Sequence, residues 1–202
     1  MRRLPILVLL LVLSLSLALP GLPHAAAASD DPAEDVWAAL AQGRTAVVMR
    51  HALAPGTGDP AAFDPADCAT QRNLDAAGRA QARAIGDAFR AAGIDRARVY
   101  SSVWCRCRET AELLDLGPVE VLPALNSFFR ERGRADGQTA ALRQFLAGTE
   151  GADTESAGPI VLVTHQVNIT ALTGVYPSSG ELIFVTRDDA ASTVGRALPA
   201  AP

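Results

Sequence analysis

Two histidines and two arginines stand at the ends of apolar runs in this chain. Arg50 and His51 close "TAVVMRH", Arg106 follows "VYSS" by a few residues, and His165 ends "IVLVTH". Imidazole is largely neutral near pH 7 and can act as a nucleophile. Guanidinium forks grip oxyanions through paired N–H groups. A pocket holding both kinds of group suits a dianion such as a phosphoryl group, whose transfer asks mainly for positioning and for positive donors at its oxygens. A single histidine behind a strand is more often structural than catalytic. Two of them at equivalent strand ends, with arginines available to the same place, point to a site.

Those ends must be brought together by the elements that carry them. Thr45 to Met49, Arg98 to Ser101, Val119 to Leu122 and Ile160 to Thr164 are short apolar runs with β-branched residues, and helical patterns lie between some of them. The alternation reads as an α/β fold with a largely parallel sheet, whose sites form where the carboxyl ends of strands meet loops. Asp75 opens the clearest helix, "DAAGRAQARAIGDAFRAAG", and Gly93 stops it. Further helices are predicted over Trp104 to Leu114 and Gln138 to Leu146, and a late strand over Glu181 to Thr186. The Gly-, Pro- and Asp-rich loop Ala54 to Cys68 follows the first strand, and Gly148 to Pro159 reads as a solvated linker.

The chain starts with two arginines, a mostly apolar run from Ile6 to Leu19, and small residues ending in Ala-x-Ala at Ala26 to Ala28. This is the pattern of a secretory signal peptide over 1–28. The apolar run falls short of the roughly 18 residues a spanning helix needs, so no stable membrane insertion is expected after cleavage. Its removal takes away Arg2, Arg3 and no acid, moving the formal charge from −4 to −6. An acidic exported domain is a poor candidate for binding nucleic acid. The expected organisation is one domain over 29–190 and a flexible, Ala-rich tail over 191–202, in the periplasm or outside the cell.

Three ordered segments, "VVMRHA", "SSVWCRCRETA" and "LVTHQVNITALTG", resemble the motifs of the histidine phosphatase superfamily, and "QRNLDAAGRAQARAIG" fits the segment between the first two. The resemblance spans most of Thr45 to Phe184. It implies a phosphoglycerate mutase-like fold, a three-layer α/β sandwich with a mostly parallel central sheet flanked by helices. It also implies a phosphatase that needs no metal or other cofactor and acts on a small phosphorylated molecule. Carried onto this sequence, it makes His51 the nucleophile that takes up the phosphoryl group. Arg50, Arg106 and His165 become the clamp on its oxygens, with Gln166 beside them at the start of a helix.

The pattern then breaks. Family members that hydrolyse phosphate esters protonate the leaving oxygen with an Asp directly after the second histidine or with a Glu in the loop after the third strand. Here those places hold Gln166 and Ser127, and neither amide nor hydroxyl gives up a proton as a carboxylic acid does. Glu131 and Glu181 are the substitutes to consider, although carboxylates are usually solvated surface groups. The missing acid also favours a rival function, a weak or inactive module that binds phosphate or phosphosugar in the same pocket. A mutase is a third option, with phosphoglycerate chemistry out of place in an exported protein.

Cys68, Cys105 and Cys107 all lie in the exported part, where disulfides are permitted. Cys68 can pair with Cys105, tying the loop to the second motif, or with Cys107, while a bond within "CRC" is geometrically poor. Cys-x-Cys is not a zinc-ribbon spacing, and Arg106 between the two would oppose a cation. Trp104, Phe128 and Phe129 are candidates for either the substrate mouth or the core.

Overall fold

The apolar run Ile160–Thr164 is buried at every residue, and Thr45–Arg50 at all but the last. Such runs need cover on both faces, which marks central strands of a sheet with helices on each side. The computed structural model describes residues 32–149, 158–188 and 190–199. The signal peptide over 1–28 and most of the Gly148 to Pro159 stretch lie outside the described residues.

The elements are α1 (Pro32–Ala41), β1 (Thr45–Arg50), α2 (Ala76–Ala91), β2 (Arg98–Ser101), α3 (Cys105–Leu114), β3 (Val119–Val121), α4 (Ala135–Gly148), β4 (Ile160–Thr164), α5 (Gln166–Thr173), β5 (Leu182–Thr186) and β6 (Thr193–Ala197). They form one sheet in the order β3-β2-β4-β1-β5-β6. The first four strands of that order are mutually parallel, and β5 and β6 run antiparallel to their neighbours. The fold is therefore the α/β sandwich with a mostly parallel sheet that the sequence predicts.

Period-two alternation divides the core. Val47 and Met49 pack with Ile85, Phe89 and Leu114 on one face, under α2 and α3. Ala46 and Val48 pack with Leu142, Leu146 and Ile169 on the other, under α4 and α5. Register aligns the strand ends: Arg50 pairs with Thr164 across β1 and β4, and Ser101 with Val163 across β2 and β4. The ladder continues one residue further, as His51 N–H donates to Thr164 O (3.0 Å) and Ser102 N–H to Val163 O (3.1 Å). His51, Ser102 and His165 thereby emerge at one edge.

The predicted helix after Asp75 is α2, and the Asp75 carboxylate caps it by accepting from Gly78 N–H at 2.7 Å. Gly78 and Gly86 set how closely α2 packs. A Cβ on Gly78 would lie 1.9 Å from Leu53 O, and one on Gly86 2.3 Å from Leu114 O. The glycine of "NLDAAG" thus lets the start of α2 press on the loop that leaves His51.

One expectation needs correcting. Residues 191–202 do not form a flexible tail throughout, because Thr193–Ala197 is strand β6, paired along the outer edge of β5. Without it β5 would present an open row of backbone donors and acceptors. Gly195 sits against Val36, where a Cβ would lie 2.6 Å from Cγ1, so α1 also covers the strand. Among the described residues, no helix is long and apolar enough to cross a membrane.

Replacing Gly86 by Ala adds helix propensity of about 1 kcal/mol but forces a methyl group into the backbone of Leu114, where overpacking costs about 1–3 kcal/mol. Urea unfolding should show a lowered midpoint for Gly86→Ala. Gly137→Ala in α4, whose added Cβ has nothing within 4 Å, should raise it.

Candidate active site

The strand edge carrying the two histidines opens into a cavity of about 380 Å³. Arg50, His51, Arg106, His165 and Gln166 all line it, so the predicted clamp is assembled in one place. The His51 and His165 rings stand 5.6 Å apart, edge to face. Both are buried, at 2% and 4% exposure.

Partners assign the tautomers. The Nδ1–H of His51 donates to Ala52 O at 2.7 Å, which leaves a lone pair on Nε2, 3.2 Å from Arg106 Nε. Nδ1 of His165 lies 3.4 Å from Arg106 Nη2 and accepts from it. Its Nε2 therefore carries the proton toward Ser102 Oγ at 2.9 Å. Ser102 Oγ also accepts from Trp104 N–H, and the Trp104 ring stands edge-on to His165. Burial, followed by the charge of Arg106, holds both imidazoles well below the ordinary histidine pKa. They are neutral bases in a basic pocket.

Arg106 is itself buried, at 3% exposure, and its two terminal nitrogens grip the carboxylate of Asp59. Nη1 lies 2.6 Å from Oδ1 and Nη2 3.2 Å from Oδ2. Trp104 Nε1–H adds a bond to Oδ2 at 3.1 Å, and Arg72 N–H one to Oδ1 at 3.3 Å. Burial favours the neutral acid, but the hydrogen bonds and charge of Arg106 outweigh it and hold Asp59 below the usual carboxylate range. Arg50 donates through Nη1 to Pro177 O, and its buried Nε has no partner.

Asp59, Arg72 and Arg130 were not among the residues the sequence singled out. All three line the cavity. Arg72 bonds Gly58 O through Nε at 2.9 Å and Ala54 O through Nη1, and Arg130 bonds the carbonyls of Asp59 and Pro60. These contacts fold the Gly- and Pro-rich loop over the site. Two signals pointed there: the acidic loop follows His51 directly, and Arg72 lies within "QRNLDAAG".

The two substitute acids part company. Glu131 lines the mouth, exposed and paired with Arg134 at 3.4 Å. Glu181 is buried away from the cavity lining, where its carboxylate holds Arg196 of β6 at 2.5 Å and accepts from Ser178 N–H. It therefore ties β6 to the turn before β5 and is not placed to meet a leaving group. Ser127 lines the cavity and its hydroxyl caps Phe129 N–H, while the Gln166 side chain donates to Thr170 Oγ1. Trp104 and Phe129 line the mouth, but Phe128 belongs to the core.

Of the two open pairings, Cys68–Cys105 is the disulfide, so the loop is fastened to the residue preceding Arg106. Cys107 is free and buried beside His165, its Sγ 3.5 Å from Nε2. Burial pushes its thiol up to about 12, so it packs as a neutral group.

The depressed histidines carry a pH signature. Below pH 6.5 the unfolded chain takes up protons at positions 51 and 165 that the native state refuses, so stability falls as pH drops through that value. Asp59 acts in a lower window, its contribution being lost only as pH falls below the ordinary aspartate range. Urea midpoints compared at pH 7 and pH 5 should drop for the native sequence and drop less for His51→Asn/His165→Asn. Equal drops would remove the assignment.

The model of the histidine phosphatase superfamily (branch 1) matches residues 47–146. Among solved structures, the chain is similar to the protein histidine phosphatase SixA complexed with tungstate, at 20% identity and TM-score 0.52, over 77% of this chain and 97% of that one. It is similar to a mycobacterial glucosyl-3-phosphoglycerate phosphatase complexed with VO3, at 18% identity and TM-score 0.51, over 71% and 92%. A mycobacterial hydrolase aligns at 17% identity and TM-score 0.53, over 79% and 99%. At these identities the likeness is one of fold. No curated protein matches the chain. By the match over residues 47–146, which takes in the Arg-His motif and Arg106, and by the fold built around it, this chain belongs to the histidine phosphatase superfamily.

Proposed function

We propose that this chain is an exported phosphatase that hydrolyses a phosphomonoester through a phosphohistidine intermediate on His51, without a metal. The observation that carries this reading is the buried, neutral His51, whose Nδ1–H is committed to Ala52 O while Nε2 faces Arg106 and the second imidazole. An imidazole so fixed attacks phosphorus without first losing a proton, and covalent catalysis divides hydrolysis into two easier displacements. Arg106 and Arg50 supply donors for the phosphoryl oxygens, His165 lines the same cavity, and the start of α5, where Gln166 and Val167 line it too, faces that space. The Ala52 carbonyl stabilises the positive charge that develops on the ring when Nε2 is phosphorylated.

The solved structures sharing the fold include two named as phosphatases, which supports the same general chemistry here. Export follows from the reading of residues 1–28 and agrees with the Cys68–Cys105 disulfide. A phosphosugar or lipid-linked phosphate outside the cytoplasm is then a fitting substrate class. The second reading, a phosphate-binding module, draws on Gln166 and Ser127 at the two places where an acid is expected.

Rapid quenching of the mature domain, from Ser29 onward, with a labelled aryl phosphate and a chelator separates the two. The expected result is acid-labile, base-stable phosphate on the protein, absent from His51→Ala. Full activity in that variant would overturn the mechanism. Inorganic phosphate binding with no label and no turnover would establish the module instead.

A further inference from the structure

The five N–H groups of Arg106 are all engaged. Nε faces His51, Nη1 is shared by Asp59 Oδ1 and Arg72 O, and Nη2 by Asp59 Oδ2 and His165 Nδ1. Asp59 holds the fork with two oxygens, the geometry a phosphoryl group would use. A phosphate set against His51 can bond Arg106 only by taking the place of that carboxylate. Resting on the phosphatase reading above, we propose that Asp59 is the general acid and base of the reaction, stored on Arg106 and released by the substrate's phosphoryl group.

Three observations support this beyond the occupancy of the fork. The loop confines the displaced carboxyl to the cavity, since the Asp59 and Pro60 carbonyls are held by Arg130 and the Cys68–Cys105 disulfide closes the loop onto α3. The two residues nearest Asp59 with left-handed backbone are glycines, Gly56 and Gly58 (φ +87° and +70°), which adopt it without the cost a side chain would bring. Neither substitute acid competes, because Glu131 is solvated and Glu181 faces β6. Exchange also reverses the electrostatics: the cation that keeps Asp59 ionised is replaced as nearest neighbour by a dianion, which favours the protonated acid.

The chemistry then balances. Asp59 takes a proton from solvent as it leaves the fork. His51 Nε2 attacks phosphorus, the bond to the leaving oxygen breaks, and the Asp59 proton passes to that oxygen, releasing the alcohol. The Asp59 carboxylate next takes a proton from water while the water oxygen attacks phosphorus. The P–Nε2 bond breaks, its electron pair returns to the imidazole, hydrogen phosphate leaves with the second water hydrogen, and Asp59 gives its proton back to solvent as it re-enters the fork.

The test is leaving-group dependence in Asp59→Asn and Asp59→Glu of the mature protein, with p-nitrophenyl phosphate and glycerol phosphate as substrates. In Asp59→Asn, kcat/KM for glycerol phosphate should fall by about 10²- to 10⁴-fold, and that for the nitrophenyl ester by less than about tenfold. Asp59→Glu, which keeps a carboxyl, should recover part of the glycerol phosphate activity. Equal losses on both substrates in Asp59→Asn, or unimpaired hydrolysis of glycerol phosphate, would overturn the proposal. Failure of the phosphatase reading itself appears separately, as absence of label and turnover in the unsubstituted protein.

Discussion

A guanidinium that is 3% exposed is tolerable only if its donors are filled, and Arg106 meets that demand with four different parts of the chain. It touches His51 at the end of β1, His165 after β4, Asp59 in the loop and the carbonyl of Arg72 before α2. Each contact brings a group into the cavity that the others need. Removing the guanidinium would leave a half-buried carboxylate and two buried imidazoles without their common partner.

The sheet makes this convergence possible. Parallel pairing of β1, β4 and β2 places three carboxyl ends side by side, and one further ladder bond at His51 and at Ser102 carries the order into the site. Tautomers are then fixed by neighbours that do not titrate near neutral pH, a backbone carbonyl for His51 and the Arg106 guanidinium for His165. The aromatic wall contributes in the same way, since Trp104 stacks on Phe63, stands against His165 and bonds Asp59.

Much of this is legible in the sequence where the physics is local. Continuous apolar runs mark the central strands, Asp75 the start of α2, and the order of Arg50, His51, Arg106 and His165 the side chains that meet at one cavity. What escaped has no periodic signal. Asp59 and Arg72 gain their roles from long-range bonds across a Gly- and Pro-rich loop, which no spacing rule encodes. The strand β6 is Ala- and Gly-containing and lacks clear alternation, so it reads as a tail. Glu181 was misjudged for the same reason, because its partner Arg196 lies on that unread strand.

Saturation of one fork by an internal carboxylate turns anion binding into an exchange. The apparent affinity of any anion for Arg106 is its intrinsic affinity reduced by the fraction of molecules in which Asp59 has let go. The exchange works equally on departure. A phosphate at that site would meet a competitor that the disulfide and Arg130 keep at high effective concentration, so the tether would oppose its rebinding. On the phosphatase reading, resistance to trapping by inorganic phosphate would be a property of how the loop is anchored, to be tuned there without altering either histidine.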